Sequence, residues 1–235
     1  MYGERLQHTL PRVREGIAAA ALRGGRDPAA VTLVAVTKGH PVAAVRAALA
    51  AGLSQLGESR VEELEEKAEA VEAGAARWHM IGHVQSRKAA RAVAAADLIH
   101  SVDSLRLAGR VGRAALDAGR GAAAVLLQVN TSGEGSKGGF RWEEAADVLP
   151  EVAELEGLQV GGLMTMAPLT NDEAVLRASF SRLRELLAGL RRHRPEVGQE
   201  LSMGMSNDVE IAVEEGSTMV RIGTALFGEP SEALT

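Results

Sequence analysis

The sequence predicts a (β/α)8 barrel preceded by one extra helix, a single domain over residues 1–235. Three observations predict it. Apolar, β-rich runs alternate with amphipathic helical stretches, the pattern of a parallel sheet covered on both faces. Eight such runs fill one stretch of about 200 residues, which matches the repeat number and size of a barrel. No GxGxxG follows the first run, which weakens the dinucleotide-binding form of the runner-up, an open doubly wound sheet.

The elements follow in order. Tyr2 to Arg23 reads as the extra helix. "VTLVAVTK" (31–38) is the first strand and "LSQLGE" (53–58) the second. The next helix, within "VEELEEKAEAVEAG", puts Val61, Leu64, Ala68 and Val71 on one stripe, with glutamates elsewhere. "RWHMIGHV" (77–84), "DLIHSVD" (97–103) and "AAVLLQVN" (123–130) give strands three to five, before a Gly-rich loop, "TSGEGSKGGF" (131–140). "LQVGGLMTM" (158–166) is the sixth strand. "NDEAVLRASFSRLRELLAGLRR" opens with Asn171 and Asp172 as cap candidates and ends in arginines, which suits the helix dipole. "ELSMGM" (200–205) and "TMVRIGTALFG" (218–228) complete the eight.

Composition narrows the function. Residues are 46% hydrophobic, enough for one sizeable core. A net charge of −5 disfavours nucleic acid as a main partner, because that binding needs a basic stripe. No apolar run approaches the ~20 residues of a membrane span. The N-terminus lacks the continuous apolar core of a signal peptide. Cysteine is absent, which excludes disulfides, thiolate metal sites and Cys nucleophiles and fits a reducing cytoplasm, the expected compartment. His79 and His83 do not share a face in a strand-plus-loop, so no metal-ligand spacing is visible.

In a barrel, function collects at the C-terminal ends of the strands. The first strand ends in Lys38, one of four lysines against 22 arginines. Alternation puts Val34, Val36 and Lys38 on one face. Lys38 therefore leaves the mouth toward solvent, pairs with an acid, or serves as an amine whose pKa is lowered by desolvation and nearby cations for Schiff-base formation. After the seventh strand, Ser206 and Asn207 are cap candidates for a helix starting near Asp208, and Asn207 with Glu210 resembles a capping box. That helix start and the "RIGT" one strand later suit an anion. Gly223 lets backbone approach closely, and Thr224 adds a hydroxyl. Arg221 sits inside an otherwise apolar strand, where a guanidinium needs an internal carboxylate or a ligand atom. A Schiff-base lysine, a phosphate cradle and an arginine across one mouth together describe pyridoxal 5′-phosphate (PLP), with Arg221 at its pyridine nitrogen.

Longer motifs carry a resemblance. "AVTKGHP", "LGESRVEE", "WHMIGHVQSRK", "HSVDS", "QVNTSGEGSKGGF", "GLMTMAP" and "LSMGMSNDVEIAVEEGSTMVRIGTALFG" resemble the pyridoxal-phosphate homeostasis proteins, single-domain relatives of the alanine racemase barrel (fold-type III). The resemblance covers nearly the whole chain. It implies that Lys38 carries PLP, that Ser206, Gly223 and Thr224 hold the phosphate, and that Arg221 faces the ring nitrogen. Ser59 stands near the cofactor where the family usually has an asparagine. Leu56 replaces an aromatic, and Arg87 another asparagine.

PLP speeds amino-acid chemistry by drawing carbanion charge into a protonated ring, and an arginine at the nitrogen keeps that ring unprotonated. Related racemases add a Tyr or Cys from a second domain of a partner subunit. This chain shows no second domain, no cysteine and one tyrosine, Tyr2, far from the motifs. The expectation is a monomeric carrier that buffers or delivers PLP and meets apo-PLP enzymes by transient contact. The competing expectation is a weak racemase using His79, His83 or His100. A third is a cofactor-free Schiff-base aldolase. Lys137 reads as a solvated loop lysine or as a transient second amine during cofactor release. The acidic face of 62–72 and the basic run 86–91 both read as solvated.

Overall fold

The structure is a computed structural model that describes residues 1–135 and 137–230. Ser136 of the Gly-rich loop and residues 231–235 of the expected domain lie outside the described residues. The chain begins with helix α1 (Tyr2–Arg23), then β1 (Thr32–Val36), α2 (Val42–Ala50), β2 (Gln55–Glu58), α3 (Val61–Glu69), β3 (Arg77–Met80), α4 (Ala89–Ala95), β4 (Leu98–Val102), α5 (Leu105–Asp117) and β5 (Ala123–Asn130). It continues with β6 (Phe140–Arg141), α6 (Trp142–Ala153), β7 (Leu158–Met164), α7 (Glu173–His193), β8 (Glu200–Ser202), α8 (Val209–Glu214), β9 (Met219–Ile222) and α9 (Thr224–Phe227).

The strands pair in the order β4-β3-β2-β1-β9-β8-β7-β5, and a β4–β5 pairing closes them into an eight-stranded parallel barrel. The two-residue β6 lies outside the ring, with Phe140 opposite Val129 of β5. The chain thus adopts the expected (β/α)8 barrel with an N-terminal helix. Side chains alternate across each strand. Val34, Leu98, Leu126, Met164 and Met219 cluster inside the barrel. Ala35, Leu56, Trp78, Ile99, Leu127 and Val220 join the larger core between strands and helices. Both faces are buried, so the strands read as continuous apolar runs.

Several strands stop before their apolar runs do. The run 218–228 leaves the sheet at Ile222 and turns into α9. Gly223 makes that exit close to β1: a Cβ there would lie 3.2 Å from the Val36 carbonyl oxygen. In β7, Gly162 has φ 148°, and a Cβ on it would lie 2.0 Å from the Glu200 carbonyl oxygen. The β5–β7 register shifts beside it, so the Gly161–Gly162 pair marks a bulge.

Helix α1 buries Leu6, Leu10, Ile17, Ala20 and Ala21 and packs against α2, α8 and α9. The stripe expected on α3 is present at Val61 and Leu64, but the helix ends at Glu69, before Val71. The α7 cap is Asp172, whose carboxylate accepts the N–H groups of Ala174 (2.9 Å) and Val175 (3.3 Å). Ser206 and Asn207 do not cap α8. Asp208 occupies that position, and its carboxylate is turned back onto the Met205 N–H at 2.6 Å. The acidic and basic runs read as solvated face each other: Lys88 meets Glu62 at 2.8 Å, and Arg91 meets Glu62 and Glu65.

Candidate functional site

The C-terminal ends of the barrel strands surround a cavity of about 960 Å³. Lys38, Ser59, Ser206, Arg221, Gly223 and Thr224 all line it, although they come from four separate strand ends. Val36 lines it below Lys38, as alternation on β1 requires. Of the three alternatives open for Lys38, the structure shows its side chain exposed within the cavity and not desolvated. Among the described residues it forms no ion pair.

A buried polar cluster holds the turn that presents Lys38. Thr37 Oγ1 donates to Glu58 Oε1 at 2.5 Å. Lys67 Nζ donates to the Thr37 carbonyl and to Glu58 Oε1, both at 2.8 Å. The Gly39 N–H donates to Glu63 Oε2 at 2.9 Å. Burial pushes the Glu58 carboxyl up to about 7, against the pull of Lys67. Its Oε2 is buried with no partner among the described residues. Sequence reasoning missed this cluster by treating the α3 charges as solvated. The available signal was Lys67 itself, three residues after Leu64 and therefore on the apolar stripe.

Arg221 is 4% exposed and forms no ion pair among the described residues. One terminal nitrogen donates to Ser202 Oγ at 2.6 Å and the other to the Thr165 carbonyl at 3.0 Å. Burial pulls the guanidinium down to about 10, partly opposed by the Asp208 charge. From Ser202 the hydrogen bonds continue inward: Ser202 Oγ to His100 Nδ1 (2.9 Å), His100 Nε2 to His79 Nδ1 (2.9 Å), and His79 Nε2 to Gln55 Oε1 (2.8 Å). Burial pushes His79 down to about 3 and His100 well below its usual range, so both rings are neutral.

These two histidines are therefore below the cavity and do not line it. His83 does, with an exposed ring whose Nδ1 is 2.9 Å from Asp103 Oδ2. Tyr2 is nearer than its sequence position suggested. Its hydroxyl is 3.1 Å from Nδ1 of His40, a cavity residue, because the start of α1 packs beside Phe227 of α9. Lys137 also lines the cavity; its ammonium donates to the Ala167 carbonyl and lies 3.2 Å from Glu134. Ser206 Oγ accepts the Ala225 N–H at 3.3 Å, which brings the β8–α8 loop against Gly223 and Thr224. Among the described residues no group of three His, Asp or Glu is placed to hold a metal, and no helix is long and apolar enough to cross a membrane.

Residues 18–231 match the family model of the alanine racemase N-terminal domain. The pyridoxal phosphate homeostasis protein of Pseudomonas aeruginosa is 43% identical over 226 residues, 96% of this chain and 94% of that one. Its counterpart in Escherichia coli is 39% identical, covering 95% of this chain and 96% of that one. The solved structure of PipY from Synechococcus elongatus with PLP bound superposes with a TM-score of 0.80 at 40% identity, over 92% of this chain and all of that one. An alanine racemase of Clostridium difficile, 16% identical with a TM-score of 0.77, shares the fold over 98% of this chain and 61% of its own length. The chain belongs to the pyridoxal phosphate homeostasis protein family, built on the alanine racemase N-terminal barrel.

Proposed function

We propose that this chain carries PLP as a Schiff base on Lys38 and buffers or delivers it, without strong catalysis of its own. When bound, the cofactor supplies an aldehyde, a ring nitrogen that accepts a hydrogen bond, and a phosphate. The residues present fit those three groups. Lys38 is an amine on the cavity with no ion-pair partner among the described residues. Arg221 spends two of its donors on neutral oxygens and lines the same cavity, leaving donors for the ring nitrogen. Ser206, Gly223 and Thr224 hold the phosphate, and Ser59 contacts the cofactor from the end of β2. The observation that carries the reading is these two cations, both without a carboxylate partner among the described residues, on one cavity wall. The PLP-bound relative PipY supports it.

The carrier assignment rests on Arg221 together with the lack of a tyrosine or cysteine lining the cavity among the described residues. A guanidinium is a poor proton donor to a pyridine nitrogen, so the ring remains a weak electron sink. Tyr2 is engaged with His40 and does not line the cavity. The proposal makes the chain a monomeric cytoplasmic domain, residues 1–235, that meets apo-PLP enzymes transiently. One observation favours a second reading, a weak racemase: the His83–Asp103 pair stands on the cavity. Two experiments test these readings. Titration with PLP should give a protein-bound absorbance band that Lys38→Ala abolishes; an unchanged band in that variant rejects Lys38. Turnover of any amino acid above the rate of free PLP, lost in His83→Ala, would replace the carrier with the racemase.

A further inference from the structure

One line of polar side chains joins five strands across the barrel lumen. Gln55, His79, His100, Ser202 and Arg221 come from β2, β3, β4, β8 and β9. Their neighbours Leu56, Trp78, Ile99, Leu201 and Val220 belong to the outer core, so alternation points all five inward. They cross the lumen as four consecutive hydrogen bonds of 2.8, 2.9, 2.9 and 2.6 Å. His100 and Ser202 are 0% exposed, and His79 is 1% exposed. Gln55 at the far end lines a second cavity, on the barrel floor beside Thr32 and Gly52.

The direction of this line is decided at one atom. A guanidinium only donates, so Ser202 Oγ accepts from Arg221. The serine hydrogen must then go elsewhere, and His100 Nδ1 is its single remaining partner among the described residues. If His100 Nδ1 carried a proton instead, two donors would point at Ser202 Oγ and its own hydrogen would be buried without an acceptor. Ser202 therefore donates to a bare His100 Nδ1. His100 then carries its proton on Nε2 and donates to His79 Nδ1. His79 in turn carries its proton on Nε2 and donates to Gln55 Oε1, which fixes the amide orientation.

We infer that these five residues form a one-way hydrogen-bond chain, Arg221 to Ser202 to His100 to His79 to Gln55, and that Ser202, His100 and His79 are positioning residues that hold Arg221 as a fixed donor toward the cavity. This role rests on the PLP reading above, because the acceptor it serves is the cofactor ring nitrogen. The chain itself does not. Ser202 takes one arm of the guanidinium and the Thr165 carbonyl takes the other, which fixes the plane of the fork. Neutral imidazoles keep the lumen free of a second positive charge that would repel Arg221.

Two experiments separate the chain from the cofactor. In the cofactor-free protein, nitrogen NMR of labelled histidine should show His79 and His100 both neutral at pH 7, with the proton on Nε2. A proton on Nδ1 of either ring, or a charged ring, would overturn the chain. Binding is then compared for PLP and its 1-deaza analogue, in which a C–H replaces the ring nitrogen. The wild-type protein should prefer PLP by about tenfold or more, the worth of one hydrogen bond to a charged donor. Ser202→Ala should lose most of that preference while binding the deaza analogue nearly as before, and Ser202→Thr, which keeps the hydroxyl, should retain it. Equal weakening of both ligands in Ser202→Ala would reject the positioning role. Failure of the wild-type protein to bind either ligand would reject the proposed function and the positioning role with it, while the tautomer result still decides the chain.

Discussion

Lys67 and Glu58 sit beneath the turn that presents Lys38, at 2.8 Å from one another and both buried. Removing one member of such a pair leaves the other charged or protonated without its partner, which typically costs 3–5 kcal/mol. Lys67→Met should therefore lower stability in urea by about 3 kcal/mol. The double variant Lys67→Met, Glu58→Gln should be less destabilised than the sum of its singles, and additive losses would argue against the pair. Arg221 poses a different test. Arg221→Lys keeps the charge but replaces a planar fork with a single ammonium, which cannot serve Ser202, Thr165 and the cavity in fixed directions. It should fold and lose about tenfold or more in PLP affinity by absorbance titration. Lys38, Arg221, Gly223 and Thr224 could be singled out in the sequence because each is an oddity at a strand end. The partners of Glu58 and His40 could not be read there, since they lie on other elements whose packing no local pattern reveals.

Helix α1 is legible to the residue because its charges keep helical spacing as far as Glu15 and its apolar residues continue the pattern to Ala21. Pro11 lies inside it, on the exposed face, and withholds one backbone hydrogen bond. Pro11→Ala should raise stability by about 2 kcal/mol, the helical gain less the unfolded-state entropy that proline removes. A lower melting temperature would show that the proline relieves strain elsewhere. On the buried face, Leu10→Ala should cost about 3 kcal/mol. The last strand is shorter than its sequence pattern for a physical reason: "TMVRIGTALFG" is apolar but for Arg221 and two threonines, and a buried strand and a buried helical turn share that signature. The two residues of β6 are too few to show any period. The Gly161–Gly162 bulge requires knowledge of which backbone passes by, and that is the Glu200 strand, almost forty residues later.

At the scale of the molecule, barrel closure creates what the sequence could not show. His100 and Ser202 are 102 positions apart and meet only because β4 and β8 face one another across the lumen. Closure also sets the pH response. His79 moves from 6.5 to about 3 on folding, and His100 moves the same way, so the folded state binds fewer protons and stability falls as pH drops below 6.5. Glu58 acts in the opposite sense. Its carboxyl rises from 4.5 to about 7, so its contribution is fully present below 4.5 and is lost as pH rises through 7. Glu58→Gln should therefore steepen the acid-side fall between pH 6.5 and 4.5, read from urea midpoints, and an unchanged slope would contradict the Glu58 assignment. The account as a whole stands on the nitrogen of Lys38. Borohydride reduction of PLP-saturated protein, followed by peptide mass mapping, reads that atom directly: a single phosphopyridoxyl adduct on Lys38 is the predicted result, and an unmodified Lys38 with the adduct elsewhere, or nowhere, would contradict it.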